Sequence, residues 1–325
     1  MRSFCFSFNK HIAIKIMKKL IIWTLVFICS CFSKIQGQAN SQNSSQQDLV
    51  FFTWNVEHLA ENNDEGCLPR NNKDYVRLRD FAKTLKADIV ALQEVESAKA
   101  VYRLFQKTDW NVVMSDRAPS ESYSCRENGN QSTQQKVAIA VRKGIEFINI
   151  GDYEQLGLDI EGLRYGVVIR LTATPAPIDI MAVHLKSGCF VDNYAASNRK
   201  ACEIFETQAP LLDHWVESNV NEERAFVVLG DFNHRISNSD NKLWRELTTM
   251  EQDSLSILNS MRNLPGCHPK YPEPIDHILL GPSTSQFYKK GSEAVHYYIN
   301  PDSSMTESDM LSDHCPVSVE LNFYQ

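Results

Sequence analysis

The stretch Ala225-Phe226-Val227-Val228-Leu229-Gly230-Asp231-Phe232-Asn233 decides the reading of this chain. Its apolar residues run without alternation, as in a strand buried on both faces. The run stops at a glycine, a carboxylate and an amide. Polar groups at that point sit at the edge of a sheet, where a cleft can form. Taken alone, such an ending has an ordinary explanation, because Asp and Asn are common turn and helix-cap residues.

The same ending recurs along the chain. Leu49 to Trp54 reads as a strand closed by Asn55, Asp88 to Gln93 as one closed by Glu94, and Ile178 to Val183 as one closed by His184. Ile275 to Leu280 opens on Asp276 and His277, and Ser312-Asp313-His314 precedes the last strand, Pro316 to Leu321. Val137 to Val141 and Gly166 to Leu171 are further strands. Helical spacing is found in Tyr75 to Leu85, near Ala98 to Phe105, and in the long stretch Tyr194 to Val216. Residues 115–135 are polar and read as a surface loop. Many strands with few helices between them predict two sheets packed face to face, with helices outside.

Six polar strand ends in one chain are hard to explain as turns. Carboxylates and amides together make a hard oxygen site suited to Mg²⁺, Mn²⁺ or Ca²⁺. Two histidines add acid–base capacity near neutral pH. A phosphoester is the substrate that uses both. No Gly-x-Ser-x-Gly elbow, Walker loop or dinucleotide fingerprint is present.

Read in order, the set is Trp54-Asn55, Leu92-Gln93-Glu94-Val95, Val183-His184-Leu185-Lys186, Gly230-Asp231-Phe232-Asn233-His234, Ile275-Asp276-His277-Ile278 and Ser312-Asp313-His314-Cys315-Pro316-Val317. It resembles the endonuclease/exonuclease/phosphatase superfamily. That group includes pancreatic-type DNases, apurinic endonucleases, inositol-phosphate phosphatases and bacterial sphingomyelinases. The resemblance runs from about Leu49 to Leu321. It implies a DNase I-like α/β fold, a four-layered α/β/β/α sandwich whose two sheets are mostly antiparallel. It also implies roles. Asn55, Glu94 and Asp313 would hold the metal. His314 would be the general base, oriented by Asp276. His184 would act on the scissile phosphate as donor or general acid, while Asp231 and Asn233 orient the nucleophile. Arg164, just before Tyr165-Gly166-Val167-Val168, would bind phosphate through its bidentate guanidinium. One departure concerns the residues before Val137. DNase-like members carry a Tyr and a Glu there, whereas this chain has Thr133, Gln134 and Gln135, which removes the acid that would orient His184. His277 reads as structural or substrate-facing.

The chain has 325 residues, 43% of them hydrophobic, which supports a large core. Its start is different. Lys10, Lys15, Lys18 and Lys19 precede an apolar run from Leu20 to Phe32, and Gly37 offers a small residue before Gln38. This is the pattern of a secretory signal peptide over 1–37, too short for a comfortable membrane span. Ile28-Cys29-Ser30-Cys31 is a weaker match to a lipoprotein site. Residues 38–47 read as a disordered linker and 48–325 as the catalytic domain. Without 1–37 the chain carries 27 basic against 40 acidic residues, a net of −13. It therefore has no global attraction for a polyanion.

Six cysteines remain after 1–37: Cys67, Cys125, Cys189, Cys202, Cys267 and Cys315. Their even number suits disulfides in an exported protein, and no two lie within four residues, unlike paired zinc ligands. The expected pairs are Cys67–Cys125, Cys189–Cys202 and Cys267–Cys315. Of the possible activities, a secreted or periplasmic monomeric nuclease acting on DNA or RNA is preferred. Lys186, Arg199, Lys200, Arg235 and Lys242 would supply local positive charge. A sphingomyelinase-like or other lipid or small-molecule phosphodiesterase is the alternative. Its candidate membrane-facing aromatics are Phe287-Tyr288 and Tyr297-Tyr298. A binding protein that kept the fold without the chemistry would be expected to lack at least one of the polar strand-end residues.

Overall fold

Along β1 (Leu49–Leu59) successive side chains enter different cores: Phe51 packs between two sheets, while Phe52 and Trp54 pack on the opposite face. The same division governs β2 (Ile89–Val95), with Ile89 and Ala91 inward and Val90 and Leu92 outward. Both faces are dry, which is why these strands lack polar alternation. The computed structural model describes residues 48–250, 253–299 and 304–323. The expected signal peptide (1–37) and linker (38–47) lie outside the described residues.

The remaining elements follow in order. They are α1 (Asn72–Thr84), α2 (Ala98–Tyr102), β3 (Trp110–Met114), β4 (Lys136–Arg142), β5 (Phe147–Tyr153), β6 (Gly166–Leu171) and β7 (Ile178–His184). Then come α3 (Lys200–Asn221), β8 (Ala225–Asp231), α4 (Lys242–Leu247), β9 (Thr249–Met250) and β10 (Asp253–Ser254). The chain closes with β11 (Leu258–Asn259), β12 (Asp276–Leu280), β13 (Ala294–Val295) and β14 (Val317–Leu321). One six-stranded sheet runs β13-β14-β1-β2-β4-β3 and the other β11-β12-β8-β7-β6-β5. Within them β1–β2 and β7–β8 are parallel and the other pairs antiparallel.

Val137, Ile139, Val167, Ile169, Ile180 and Val227 fill the space between the sheets. Outside the first sheet α1 contributes Tyr75, Leu78 and Ala82. Outside the second, α3 contributes Phe205, Ala209, Leu212 and Val216 against Val168, Met181 and Val183. The four-layered α/β/β/α sandwich is the expected one. Helix α1 begins where Asn71 and Asp74 cap each other's backbone in a capping box. Local boundaries differ from the sequence expectation. Tyr194–Ala196 is a separate 3-10 turn and α3 starts at Lys200. The outer strands β3 and β5 were not expected. In β5, Ile148 and Ile150 are exposed, so its pattern lacks a buried face.

Three disulfides form with the expected partners: Cys67–Cys125, Cys189–Cys202 and Cys267–Cys315. Between β7 and β8 the backbones approach closely at Gly230. A Cβ there would lie 2.0 Å from the Val183 carbonyl oxygen. Gly230→Ala should therefore destabilise the protein by more than about 2 kcal/mol. A thermal melt with an unchanged midpoint would contradict this account of the glycine.

Candidate active site

The strand register brings the polar ends together. In the parallel β7–β8 pair His184 stands opposite Asp231, and in the antiparallel β12–β8 pair Asp276 stands opposite Asp231. Three side chains thus meet at one edge because of ordinary sheet pairing. The facing sheet supplies Asn55, opposite Gln93 in the β1–β2 pair, with Glu94 next along. The ladder slips between Asn55 and Leu59 and between Leu92 and Val95. Glu57, His58, Glu94 and Asn233 all adopt positive φ, from 46° to 60°. Non-glycine residues pay for that conformation, and such residues gather at functional sites.

Asp231 is the centre. It is 1% exposed. Its Oδ1 accepts from the Asn233 backbone N–H at 2.8 Å and its Oδ2 from Asn55 Nδ2 at 3.1 Å. His184 Nε2 lies 3.4 Å from Oδ2 and His314 Nε2 lies 3.8 Å from it. His314 Nδ1 meets Asp276 Oδ2 at 2.7 Å. Asp313 reaches within 3.9 Å of His314 Nε2. Asn55 Nδ2 also lies 3.5 Å from Glu94 Oε1. The structure therefore assembles Asn55, Glu94, His184, Asp231, Asn233, Asp276, Asp313 and His314 in one cleft. Arg164 joins them from the loop before β6. It donates to the Leu185 carbonyl at 3.0 Å, the same oxygen that accepts from Asn233 Nδ2 at 3.2 Å. Its positive charge acts on Glu94 and Asp231.

Burial and charge set the protonation states. Burial pushes Asp231 up to about 7, with Asp276 adding to the rise and His314 opposing it. Burial disfavours charge on His314, but Asp276 and Asp231 outweigh it and hold its pKa well above the usual histidine range. Burial, with Arg164 and His314 nearby, holds His184 well below that range, so its ring is neutral. Its buried Nδ1 has no hydrogen-bond partner among the described residues. Gln135 does not fill that place. It donates instead to Glu94 Oε2 at 2.8 Å and sits 3.2 Å from His58 Nε2.

Two further residues of the cleft are not singled out by the sequence pattern. His58 lies 3.8 Å from Glu94, and Glu57 accepts from the Asp313 backbone N–H at 2.9 Å. Burial and Asp313 raise Glu57 to about 7. Their signal was a polar pair directly after Val56 in an apolar strand. His277 is structural. It is fully buried, bound through Nε2 to the His234 carbonyl at 3.1 Å and through Nδ1 to Asn259 at 3.3 Å.

The donor set fits a hard divalent cation. Glu57 is raised first by burial and then by the nearby carboxylates of Asp313 and Glu94, so oxygen donors of the kind a hard cation takes lie close together. Asp231, Asp276 and His314 also place ligand atoms within 4.8 Å of one another. In that trio His314 Nδ1 is already engaged by Asp276. Asn55 presents its Nδ2 to the carboxylates, because its Oδ1 accepts from the Glu57 N–H at 3.0 Å. Ligation through that oxygen requires the amide to turn over.

Two facing sheets with an acidic, histidine-bearing cleft at the strand edge define a class of hydrolytic fold. The chain belongs to the endonuclease/exonuclease/phosphatase family, which matches residues 52–314. Similar solved structures include a 3′ phosphatase, NExo, from Neisseria, bound to a product DNA hairpin. It has a TM-score of 0.55 and 17% identity, over 84% of this chain and 99% of that one. The human Nocturnin catalytic domain with bound sulfate gives 0.53 and 15%, over 85% and 95%. A family member from Bacteroides vulgatus gives 0.52 and 17%, over 86% and 100%. No match was found among curated protein sequences.

Asp276→Asn tests the electrostatics. Because Asp276 raises the His314 pKa, its loss should lower the His314 titration midpoint, read by NMR of the metal-free protein. The raised folded pKa also stabilises the fold below the unfolded histidine value and ceases to as pH rises through the folded one. The variant should thus be less stable by about 3 kcal/mol below about pH 6, with a smaller deficit at high pH. An unchanged midpoint would refute the pairing.

Proposed function

We propose that the protein is an exported, divalent-metal-dependent phosphodiesterase that cleaves nucleic acid. The observation that carries this reading is the convergence on Asp231 of two amides and two histidines, beside the carboxylates of Glu94 and Asp313. Glu94 and Asp313 would hold the cation, with Asn55 after its amide turns and Glu57 beside them. A bound cation of the Mg²⁺ class would offset charge on the phosphoryl oxygens.

The chain's own groups divide the remaining work. Arg164 and the neutral His184 face the phosphate, His184 through the Nε2 that now lies near Asp231. Asn233 and Asp231 orient the attacking water. His314, fixed by Asp276, moves a proton at Nε2. Its elevated pKa keeps a proton on the ring at neutral pH; a bound cation would supply positive charge that opposes this rise.

Nucleic acid is favoured over lipid by packing. Phe287 and Tyr288 pack against the inter-sheet core and Tyr298 against the α1 side, so these are core residues rather than a membrane-seeking hairpin. No helix among the described residues is long and apolar enough to cross a membrane. The basic residues proposed to attract phosphate are largely compensated: Arg235 pairs with Glu273, Lys200 with Glu203 and Lys242 with Glu246. Substrate recognition therefore falls to the cleft itself.

Glu94→Gln and His314→Ala should each reduce cleavage of RNA or single-stranded DNA by at least about 100-fold with unchanged circular dichroism. EDTA should abolish the wild-type reaction. Near-normal turnover in either variant would reject these assignments. Export, supported by the leader pattern and the three disulfides, predicts a mature N-terminus near Gln38 in protein recovered from outside the cytoplasm. N-terminal sequencing that begins at Met1 would reject it.

A further inference from the structure

A pocket of about 500 Å³ opens from the reacting groups, within the range of small-molecule sites. Asn233, Asp276 and His314 line one side of it, and Phe190 and Tyr271 contribute its aromatic walls. Among the described residues Tyr271 is 65% exposed, Tyr123 51% and Phe190 50%. Rings left in water contribute little to folding, yet all three border the cleft. Tyr123 does so by donating to Gln135 at 3.4 Å, the residue that holds Glu94.

The wall that carries Tyr271 is built rather than loose. Cys267 is joined to Cys315, the residue after His314. Gly266 donates to the Pro272 carbonyl at 2.7 Å, and Tyr271 donates to the His268 carbonyl at 3.0 Å. The His268 and Tyr271 rings lie 4.8 Å apart. A Cβ on Gly266 would meet the Tyr271 and Glu273 carbonyl oxygens at 2.8 Å, so only glycine permits this turn. Phe190, on the other loop, follows Cys189 of a second disulfide. The cations on the wall are neutralised, Lys270 by Glu307 at 2.5 Å and Arg235 by Glu273 at 2.8 Å.

We infer that this pocket is a nucleobase subsite, in which Phe190 and Tyr271 stack an unpaired base next to the scissile phosphate, so that the substrate is single-stranded. The inference rests on the nucleic-acid reading above and narrows it. Aromatic faces on concave walls suit a flat ring, and base–aromatic stacking is tolerant of sequence. A membrane-inserting surface would instead project its apolar groups outward, away from acids such as Glu273 and Glu307. With its cations paired, the wall offers little to a phosphate backbone, so binding should depend on stacking and only weakly on salt. A base within a duplex is already stacked and is not available to these rings.

The test uses a short oligonucleotide with one cleavable phosphodiester, the others being phosphorothioates. It is prepared with normal bases, with an abasic residue on either side of the scissile bond, and annealed to its complement. Tyr271→Ala and Phe190→Ala should each raise KM for the base-bearing single strand about tenfold, with kcat changed less than about twofold. Tyr271→Phe should behave as wild type. On one of the abasic strands the wild type should fall to the level of the variants, which should lose nothing further. The annealed strand should be cut at least about tenfold more slowly. Unchanged KM in both alanine variants, equal losses on base-bearing and abasic strands, or rapid cleavage of the duplex would overturn the subsite and leave the nuclease reading intact. Wild-type protein that cuts no strand but hydrolyses sphingomyelin in vesicles would overturn both.

Discussion

A carboxylate with 1% of its surface in water is the constraint around which this protein is arranged. Asp231 cannot be buried without partners, because the desolvation cost of a bare charge exceeds what folding can spare. The partners come from every side: an amide from β1, a backbone N–H from the turn after β8, and imidazoles from β7 and from the loop before β14. Each must arrive in register. The parallel β7–β8 pair and the antiparallel β12–β8 pair therefore satisfy one electrostatic demand as well as building a sheet.

A second tier of polar contacts fixes the loops that carry these partners. Arg70, 4% exposed, donates to the carbonyls of Val56, Glu57 and Leu311. It clamps the end of β1 to the approach of β14. Trp54 donates to Tyr298 at 2.9 Å, and Tyr298 donates to the His314 carbonyl. Ser312 donates to the Asn55 carbonyl at 2.6 Å and accepts from the His314 N–H. The backbone around His314 is thus held from three directions before its side chain meets Asp276. Such support is what keeps strained residues such as Glu57 and His58 in positive φ.

How much of this was legible in the sequence follows from the physics of each part. The central strands were legible because burial on both faces leaves an unbroken apolar run, and their polar terminations stood out against it. The outer strands β3 and β5 were not, since half-exposed side chains such as Ile148 and Ile150 blur the pattern. The gathering of Asn55, Glu94, Asp231 and His314 followed from strand ends sharing an edge. Glu57 and His58 escaped notice because their place depends on a bulge, and a bulge shifts which side chains face the cleft. The absence of an acid before β4 was visible at Gln135, and with it the missing acid partner of His184; the contact that Gln135 makes instead was not. The side chain turns to Glu94 and leaves the buried Nδ1 of His184 without a protein partner.

The first and last strands of the domain are neighbours. Leu49 pairs with Leu321, and Thr53 with Val317. Contacts between such distant parts of a chain form late, because closing so long a loop costs entropy before any pairing repays it. Asn55 lies in the first of these strands and His314 precedes the last. No fragment of the chain, growing or cleaved, holds both until β14 has been made and has found β1. Hydrolytic competence is thus a property of the finished topology alone, and its appearance during refolding marks the closing of the sheet.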